Sequence, residues 1–600
     1  MDSSPLKIEH RPGEKAQPQA FTRAKDLEFG LDPRLDAWIL HFMTENNLEH
    51  ALHPELNAST EQLRFMIVLG ENEVFFPCPD DEFRQLFASG LTPDLLEAYK
   101  ERWRHLVRFV HAHISDRYLR QRIVSLCRHK FYLVRAAPFI IPDRLMKRFL
   151  TIFLTQTSIE DPLREEKMRS NARAEEFINS QVMQRIMQEC PSSMLSCSSI
   201  EQLRWRLDLE ELKRLLCLST WESLWGKAEV DEEDLLNGDA AFAACDHFED
   251  TLSGSLGRSR LKILYLVQSS GAVLFDIQII KALLRQGHRV TLALKEGFYL
   301  SVPTFWDQER DAALARALEG AFWVTENIIS KNDLLKHQRE HPLLIISDGT
   351  RERLNLCRTS VTFARSWKEA DLIIAKGKEL QGQLLGTAHE FTRDILCIYR
   401  DGDGRLQVDH KAKSPQAVKF TENQLLAKAE EIIAEMRQAK ASGQRVMFYS
   451  AIIGSIPGQT KTALRILNTF VSELRRRLDD IMIINPGEHF EAGMDADDLM
   501  YMWERVQSSG LIDIWRFQSV EDIETSFTLL GEKVPPVWVG KDATFSTGCT
   551  QEMEIALDMQ KRYPEMQIIG PDREKFFRRR EYGVGKFFDA AINGTTGIQR

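Results

Sequence analysis

The segment from Leu261 to Asp307 limits the fold of this chain more than any other. It reads LKILYLVQSSGAVLFDIQIIKALLRQGHRVTLALKEGFYLSVPTFWD, which is a short apolar run, a Ser-Ser-Gly turn, an amphipathic helix pattern and a second apolar run. This order predicts a strand, a helix and a second, parallel strand. The carboxyl ends of parallel strands lie at one edge of a sheet, and α/β proteins bind their ligands there. The sequence therefore predicts a ligand crevice after these two strands.

The same alternation of apolar runs and helix patterns continues along the chain and predicts a mainly parallel sheet. The predicted strands of this sheet are Ile263–Val267, Val290–Leu294, Phe322–Thr325, Leu343–Ser347, Leu372–Ala375 and Ile395–Tyr399. Further on, strands are predicted in the stretches VMFYSAII, IMIINPG, LIDIWRF, PPVWVG and MQIIGPD. The fold class is therefore α/β, with a helical N-terminal region followed by two doubly wound, mainly parallel α/β domains.

Six hundred residues exceed what one hydrophobic core supports, so several domains are expected. Changes in composition predict the following boundaries: a disordered lead-in over 1–20, a helical domain over 21–228, an acidic linker over 229–259, an α/β domain over 260–412, a connecting helix over 413–443 and a C-terminal α/β domain over 444–600.

Composition excludes some classes of function. The formal charge of −10 argues against general binding of nucleic acid, and the basic run Arg117–Lys130 is most simply a solvated helix face. Apolar runs such as Phe149–Leu154 are much too short to cross a bilayer, so no membrane partner is expected. Nine scattered cysteines fit a reducing compartment, and we expect a cytoplasmic protein.

The region Lys262–Val408 resembles the damage-control phosphatase family, whose metal-binding fold is shared with the acidic-residue methyltransferase-like proteins. The matching motifs are LYLVQSSGAVLFDIQII, GHRVTLALKEG, TFWD, LLIISDGT and ADLIIAKG. The resemblance implies a hydrolase that acts on phosphorylated metabolites with a divalent ion (Mn, Ni, Co or Mg). It also implies an Asp-Asn pair after the first strand and an Asn-Asp pair after the second, which together hold that ion.

This chain departs from the family at both pairs. Gln268-Ser269 replaces the first pair and Ser301-Val302 replaces the second. Neutral oxygens do not balance the charge of a divalent ion, which prefers carboxylates. One interpretation is a rebuilt metal site with ligands drawn from Asp276, Asp307 or Asp348. The alternative is that these aspartates are structural residues of a helix and of turns.

Lys376 follows a buried strand and precedes Gly377, so it is predicted to direct a cation toward the crevice; Lys376 and Asp307 are the candidate catalytic residues. The turn before the first helix could hold an anion without metal, through backbone N–H groups and the helix dipole. A lysine that only solvates a loop is the competing interpretation. The candidate ligand-binding residues in this domain are Gln268, Ser269, Ser270, Gly271, Ser301, Asp348, Gly349 and Gly377.

The C-terminal domain offers a rival site. SAIIGSIPGQTKTALRI follows a predicted strand and opens a helix, although it lacks the spacing of a P-loop. Ser455 and Lys461 are its candidate anion-binding residues, and a plain strand-to-helix turn is the alternative. The polar segment VGKDATFSTGCTQE, near residues 539–552, is expected at the same edge of that sheet.

Three functions follow from these patterns. The first is a metal-dependent phosphatase with a degenerate metal site. The second is a pseudoenzyme that binds a phosphorylated small molecule or serves as a scaffold. The third is an enzyme whose site lies in the C-terminal domain. A small phosphorylated ligand is the expected partner, and the sequence is also compatible with a protein partner or a homo-oligomer.

Overall fold

The computed structural model describes residues 21–48, 60–70, 72–88, 90–188, 197–226, 249–257, 260–456, 459–489, 491 and 493–581. It divides into two compact units, Met1–Ala417 and Val418–Arg600. The predicted lead-in over 1–20 and most of the predicted acidic linker lie outside the described residues. The finer domain boundaries stay predictions. In the described ranges, no helix combines the length and the apolar character needed to cross a membrane.

The first unit is built on a seven-stranded sheet with the order β4-β5-β3-β2-β6-β8-β9. Its strands are β2 (Lys262–Leu266), β3 (Arg289–Leu294), β4 (Phe322–Val324), β5 (Leu343–Ser347), β6 (Leu372–Lys376), β8 (Asp394–Arg400) and β9 (Leu406–Lys411). All six strands predicted from the sequence are present and pair in parallel, whereas β9 was not predicted and runs antiparallel to β8. The predicted α/β fold class is confirmed.

The helices of the first unit precede the sheet or connect its strands. They are α1 (Pro33–Glu45), α2 (Thr60–Leu63), α3 (Asp80–Phe87), α4 (Pro93–His113), α5 (Arg117–Ala136), α6 (Pro142–Thr157), α7 (Arg164–Ile178), α8 (Gln181–Gln188), α9 (Ile200–Leu218), α10 (Glu249–Leu256), α11 (Ala272–Arg285), α12 (Ala312–Ala317), α13 (Lys331–Glu340), α14 (Val361–Glu369) and α15 (Lys378–Leu384). A separate two-stranded pairing joins β1 (Ile67–Val68) to β7 (Glu390–Phe391).

The central strand β2 shows why its sequence is apolar throughout. Leu264 and Leu266 belong to a core that also contains Phe149 of α6, whereas Ile263 and Tyr265 belong to a second core on the opposite face. Successive side chains of a strand point to opposite faces, so a strand covered on both sides has few polar positions. The helices before Leu261 contribute to both of these cores.

The second unit contains a parallel four-stranded sheet with the order β11-β10-β12-β13. Its strands are β10 (Arg445–Ser450), β11 (Ile481–Ile484), β12 (Ile514–Phe517) and β13 (Gln567–Ile569), and its helices are α16 (Glu422–Ala441), α17 (Thr460–Arg477), α18 (Ala496–Gln507), α19 (Val520–Leu529), α20 (Thr547–Arg562) and α21 (Arg573–Glu581). The strand predicted in PPVWVG is wrong: Pro536–Trp538 forms a 3-10 helix, as the proline pair favours.

Candidate functional site

The crevice of the first unit lies where the chain reverses its direction across the sheet. The chain moves from β2 to β3 on one side and later returns to place β6 on the other side of β2, so β2 and β6 form the topological switch point. The Gln268 side chain packs tightly on Gly377. A Cβ added at residue 377 would lie 2.6 Å from the amide carbon (Cδ) of Gln268. The Ser270 N–H donates to the Ser301 carbonyl over 2.8 Å. The structure thus brings the two replaced pairs and the end of β6 together.

The Ser-Ser-Gly turn before α11 is covered by the helical region. Gly271 has φ +83°, and a Cβ there would lie 2.2 Å from the Trp225 ring. The Gly271 N–H donates to the side-chain oxygen of Asn171. Two of the backbone N–H groups predicted to hold an anion, those of Ser270 and Gly271, therefore already have acceptors within the chain.

Lys376 does not present a free ammonium to the crevice. It is completely buried, its Nζ lies 3.1 Å from Asp276, and it donates to the backbone carbonyl (3.3 Å) and the hydroxyl of Ser219. Asp276 also accepts a hydrogen bond from the Tyr265 hydroxyl over 2.8 Å. Burial raises the pKa of Asp276 and lowers the pKa of Lys376, and the attraction between the two charges opposes both changes.

The two other candidate aspartates also face lysines. Asp307 lies 2.7 Å from the Nζ of Lys167 and accepts hydrogen bonds from the backbone N–H (2.9 Å) and the hydroxyl (2.7 Å) of Thr304. Asp348 lies 2.7 Å from the Nζ of Lys295 and accepts from Thr350 in the same way. Both lysine side chains are at most 10% exposed.

These contacts test whether the family's divalent ion fits this crevice. Asp276, Asp307 and Asp348 are each paired with a buried lysine, and Lys167, the partner of Asp307, also pairs with Asp161. The residues that stand at the family's ligand positions are neutral. A divalent ion requires several carboxylate ligands that are free to coordinate it, and each carboxylate of this set already faces an ammonium group. The residues present therefore do not fit the ion.

The remaining candidate of this set is Gly349, which shapes the turn after β5. It has φ +75°, and a Cβ there would lie 2.6 Å from the backbone nitrogen of Ser360. Its N–H donates to the Ser347 hydroxyl over 3.0 Å. Gly349 thus permits a close approach of two loops, and its role in binding a ligand stays a prediction.

Sequence reasoning missed the partners that close this crevice. Lys295 follows β3 directly, so the argument that selected Lys376 would also have found it. Lys167, Asn171, Ser219 and Trp225 precede the sheet, and contacts such as that from Asn171 to Gly271 span about a hundred residues of sequence. No spacing or motif in a single sequence indicates such contacts.

An ionic network links the helical region to the loops after β5 and β6. Arg353 pairs with Asp143 and lies 3.5 Å from Glu379 and 3.9 Å from Glu82. Arg102 lies 2.9 Å from Asp143. Burial raises the pKa of Glu82 to about 7. Charged groups at this edge of the sheet are thus engaged with one another.

The second unit has its own switch point, between β10 and β12. Gln518 follows β12, its N–H donates to the Ser450 carbonyl over 2.8 Å, and its side-chain oxygen accepts from the Ile452 N–H over 3.1 Å. Gln518 is fully buried, yet its side-chain nitrogen has no hydrogen-bond acceptor among the described residues. Buried polar atoms usually have partners, so this one marks the switch point as a candidate site.

The predicted residues of this second site lie around the start of two helices. The Ser455 hydroxyl lies 3.0 Å from that of Ser546, which caps α20. Lys461 is exposed in the first turn of α17, a turn that contains no acidic residue. The structure therefore leaves Lys461 accessible to solvent, whereas it buries Lys376.

A buried acid lies beneath this crevice. Glu552 is 7% exposed and accepts a hydrogen bond from the Gln507 amide over 2.9 Å. Burial raises its pKa to about 7, although hydrogen bonds from Ser450, Gln507 and Cys549 partly oppose this change. Burial also raises the pKa of the Cys549 thiol well above its usual range, so this cysteine is not an activated nucleophile.

Comparison with known proteins identifies the class of the first unit. The model of the damage-control phosphatase ARMT1-like domain matches residues 97–400, which is just over half of the chain. The chain belongs to this family. A DUF89 family protein from Pyrococcus horikoshii, known from a crystal structure, is similar with 20% sequence identity and a TM-score of 0.36, over 51% of this chain and 90% of that one. A search of curated proteins gives no match.

The Lys376–Asp276 pair gives a first testable prediction. The substitution Lys376→Met leaves a buried carboxylate without its cation, and we expect a loss of about 3–5 kcal/mol in the free energy of unfolding of the first unit. The double variant K376M/D276N should recover most of this loss, because asparagine still accepts the Tyr265 hydrogen bond without a charge. Urea denaturation measures both values.

The control for this prediction is Lys378→Met, at an exposed lysine nearby. Equal stability of K376M and wild type would contradict the pairing.

Glu552 gives a prediction about pH. Burial raises its folded-state pKa from the ordinary value of 4.5 to about 7, so the folded state binds the proton more tightly than the unfolded state. The stabilisation is therefore complete below about pH 4.5 and is lost as pH rises through about 7, by about 3 kcal/mol in total. Glu552→Gln should remove this loss, so that the variant gains on wild type between pH 5 and pH 8 in thermal melts. The exposed control Glu565→Gln should show no such gain, and a pH-independent difference for E552Q would exclude the raised pKa.

Proposed function

We propose that this chain is a non-hydrolytic member of its family, in which the ARMT1-like unit serves as a structural scaffold. The observation that carries the proposal is the pairing of Asp276, Asp307 and Asp348 with three buried lysines. Metal-assisted phosphoryl transfer needs a cation that is free to interact with the substrate oxygens. In this crevice the lysines are paired with carboxylates, and two N–H groups of the turn that would cradle a phosphate, those of Ser270 and Gly271, already have acceptors.

The closure of the crevice supports the same proposal. Trp225 lies on Gly271, and Ser219 and Asp276 surround the Lys376 ammonium. A phosphorylated substrate would have to displace Trp225 and break a buried ion pair before it reached Lys376. Both changes cost free energy, because they expose apolar surface and separate charges that burial holds together.

A hydrolysis assay tests this proposal. Purified full-length protein should hydrolyse p-nitrophenyl phosphate no faster with Mn²⁺, Ni²⁺, Co²⁺ or Mg²⁺ than with EDTA. Metal-dependent turnover that is lost in Asp348→Asn would overturn the proposal and favour the phosphatase that the family resemblance implies.

A gain-of-function variant gives the matched comparison. The substitutions Gln268→Asp, Ser269→Asn, Ser301→Asn and Val302→Asp introduce the acidic pairs that the resemblance implies, and they add two carboxylates with no lysine assigned to them. We expect this variant to bind Mn²⁺ at least about tenfold more tightly than wild type, since carboxylates supply both oxygen ligands and charge. The control carries asparagine at all four positions and should bind as wild type does. Equal binding by all three proteins would show that neutral residues are not what excludes the ion.

We propose as a second function that the second unit binds a phosphorylated small molecule at the β10/β12 switch point. The side-chain nitrogen of Gln518, which has no acceptor in the described part of the chain, supports this, together with the exposed Lys461 at the start of the 18-residue helix α17. The N-terminus of a helix and a lysine attract an anion, and an amide donor would fix its orientation.

Thermal stabilisation tests the second function. Inorganic phosphate and adenosine 5′-monophosphate should raise the melting temperature of wild type in proportion to ligand concentration. Lys461→Ala should weaken the apparent affinity about tenfold, because it removes one charge-assisted contact. Lys561→Ala, at an exposed lysine of α20, is the control and should leave the affinity unchanged. Equal stabilisation of all three proteins would place the ligand elsewhere.

A further inference from the structure

A cluster of metal-ligating side chains lies on α13, outside the crevice described above. His337, Glu340 and His341 each offer one ligand atom, and these atoms all lie within 4.8 Å of one another. His337 and Glu340 lie three positions apart on one face of α13, and His341 follows the helix directly as its C-cap residue in an extended conformation. Neither the family match nor the sequence analysis points to this helix.

The cluster lies at the opposite edge of the sheet from the switch point. α13 leads into β5, which starts at Leu343, so its last turn lies beside the amino ends of the parallel strands. Both imidazole rings stack on Phe322, the first residue of β4, with centroids 4.4 Å (His337) and 4.2 Å (His341) away. Arg289, the first residue of β3, donates to the backbone carbonyl of His341 over 3.4 Å. A ligand here would therefore not share the residues of the family's crevice.

Packing restricts the orientations of the His337 and His341 rings before any ion binds. Phe322 packs against both imidazoles, which lowers the entropy that is lost when they coordinate a metal. The Nδ1 atom of His337 is buried and has no hydrogen-bond partner among the described residues. A buried nitrogen without a partner is uncommon, and a coordinated ion is one way to satisfy it.

The chemistry of the three ligand groups determines which class of ion fits the cluster. Two imidazoles and one carboxylate suit Zn²⁺ and related first-row transition ions, whereas Mg²⁺ and Ca²⁺ prefer sites made only of oxygen. With metal–ligand bonds of about 2.1 Å, tetrahedral ligand atoms lie about 3.4 Å apart, so the observed separation requires only small side-chain rotations. The C-terminal end of a helix also carries partial negative charge, which favours a cation.

We propose that His337, Glu340 and His341 bind a Zn²⁺-class transition ion and that this ion fastens the last turn of α13 against the amino end of β4. The order His-x-x-Glu-His also occurs in zinc peptidases, in which the glutamate is the catalytic base. Glu340 is exposed to solvent here, whereas a catalytic base acts in a site that excludes water. The proposal is therefore a binding site with a structural role.

Metal binding by the stripped full-length protein tests the proposal. Wild type should bind one equivalent of Zn²⁺ or Co²⁺ at this site, with a rise in melting temperature and a visible Co²⁺ absorption band typical of nitrogen ligands. The double variant H337A/H341A should lose that equivalent and the band, with affinity at least about a hundredfold lower. Glu340→Gln, which is conservative and exposed, should lower the affinity about tenfold.

The control variant is H111A/H129A, which removes two exposed helical histidines from α4 and α5. It should retain the bound equivalent, the absorption band and the metal-dependent rise in melting temperature. If H337A/H341A and E340Q bind Zn²⁺ as tightly as wild type, the proposal is wrong. It is equally wrong if the control loses the ion together with H337A/H341A, because binding would then be non-specific.

Discussion

The ion pair between Lys376 and Asp276 is the contact on which both the packing and the crevice charge of the first unit depend. Both side chains are completely buried between β6 and α11, and the pair is completed by Ser219 and Tyr265. Two charges at this depth are tolerated because each is close to the other and because Ser219 and Tyr265 add hydrogen bonds to the pair. The pair therefore ties α9, α11 and two central strands into one arrangement. The pair also makes the ammonium group of Lys376, which the sequence predicts to face the crevice, unavailable to a ligand.

Asp307 and Asp348 likewise face a lysine of the chain, where a metal site would have a divalent ion. Lys167 and Lys295 neutralise these aspartates, and threonine groups from the adjacent loops hold the carboxylates in place. A lysine that is engaged by a carboxylate attracts a phosphorylated ligand less strongly than a free lysine does. Membership of the family therefore does not by itself establish the family's chemistry in this crevice.

The sequence predicted the elements of this chain better than it predicted its site. Apolar runs of four to seven residues indicate all six parallel strands of the first sheet, because strands covered on both faces have few polar positions. The strand predicted in PPVWVG is wrong because the proline pair disfavours a strand there, although the segment is apolar. The approach of Ser270 to Ser301 follows from the parallel topology and was predictable. The contacts of Lys167, Asn171 and Trp225 depend on how the preceding helices pack, and no local pattern encodes that packing.

The position of each candidate site relative to its strands decides what chemistry it supports. The second unit keeps an exposed lysine and an unpartnered amide at the carboxyl edge of its sheet, where helix N-termini favour anions. The histidine cluster of the first unit lies at an amino edge, beside a helix C-terminus that favours cations. These preferences come from backbone dipoles that substitution of side chains does not remove. The ends of the strands opposite the crevice are therefore an electrostatically suitable place for a metal ion, whatever the state of the carboxyl-edge site.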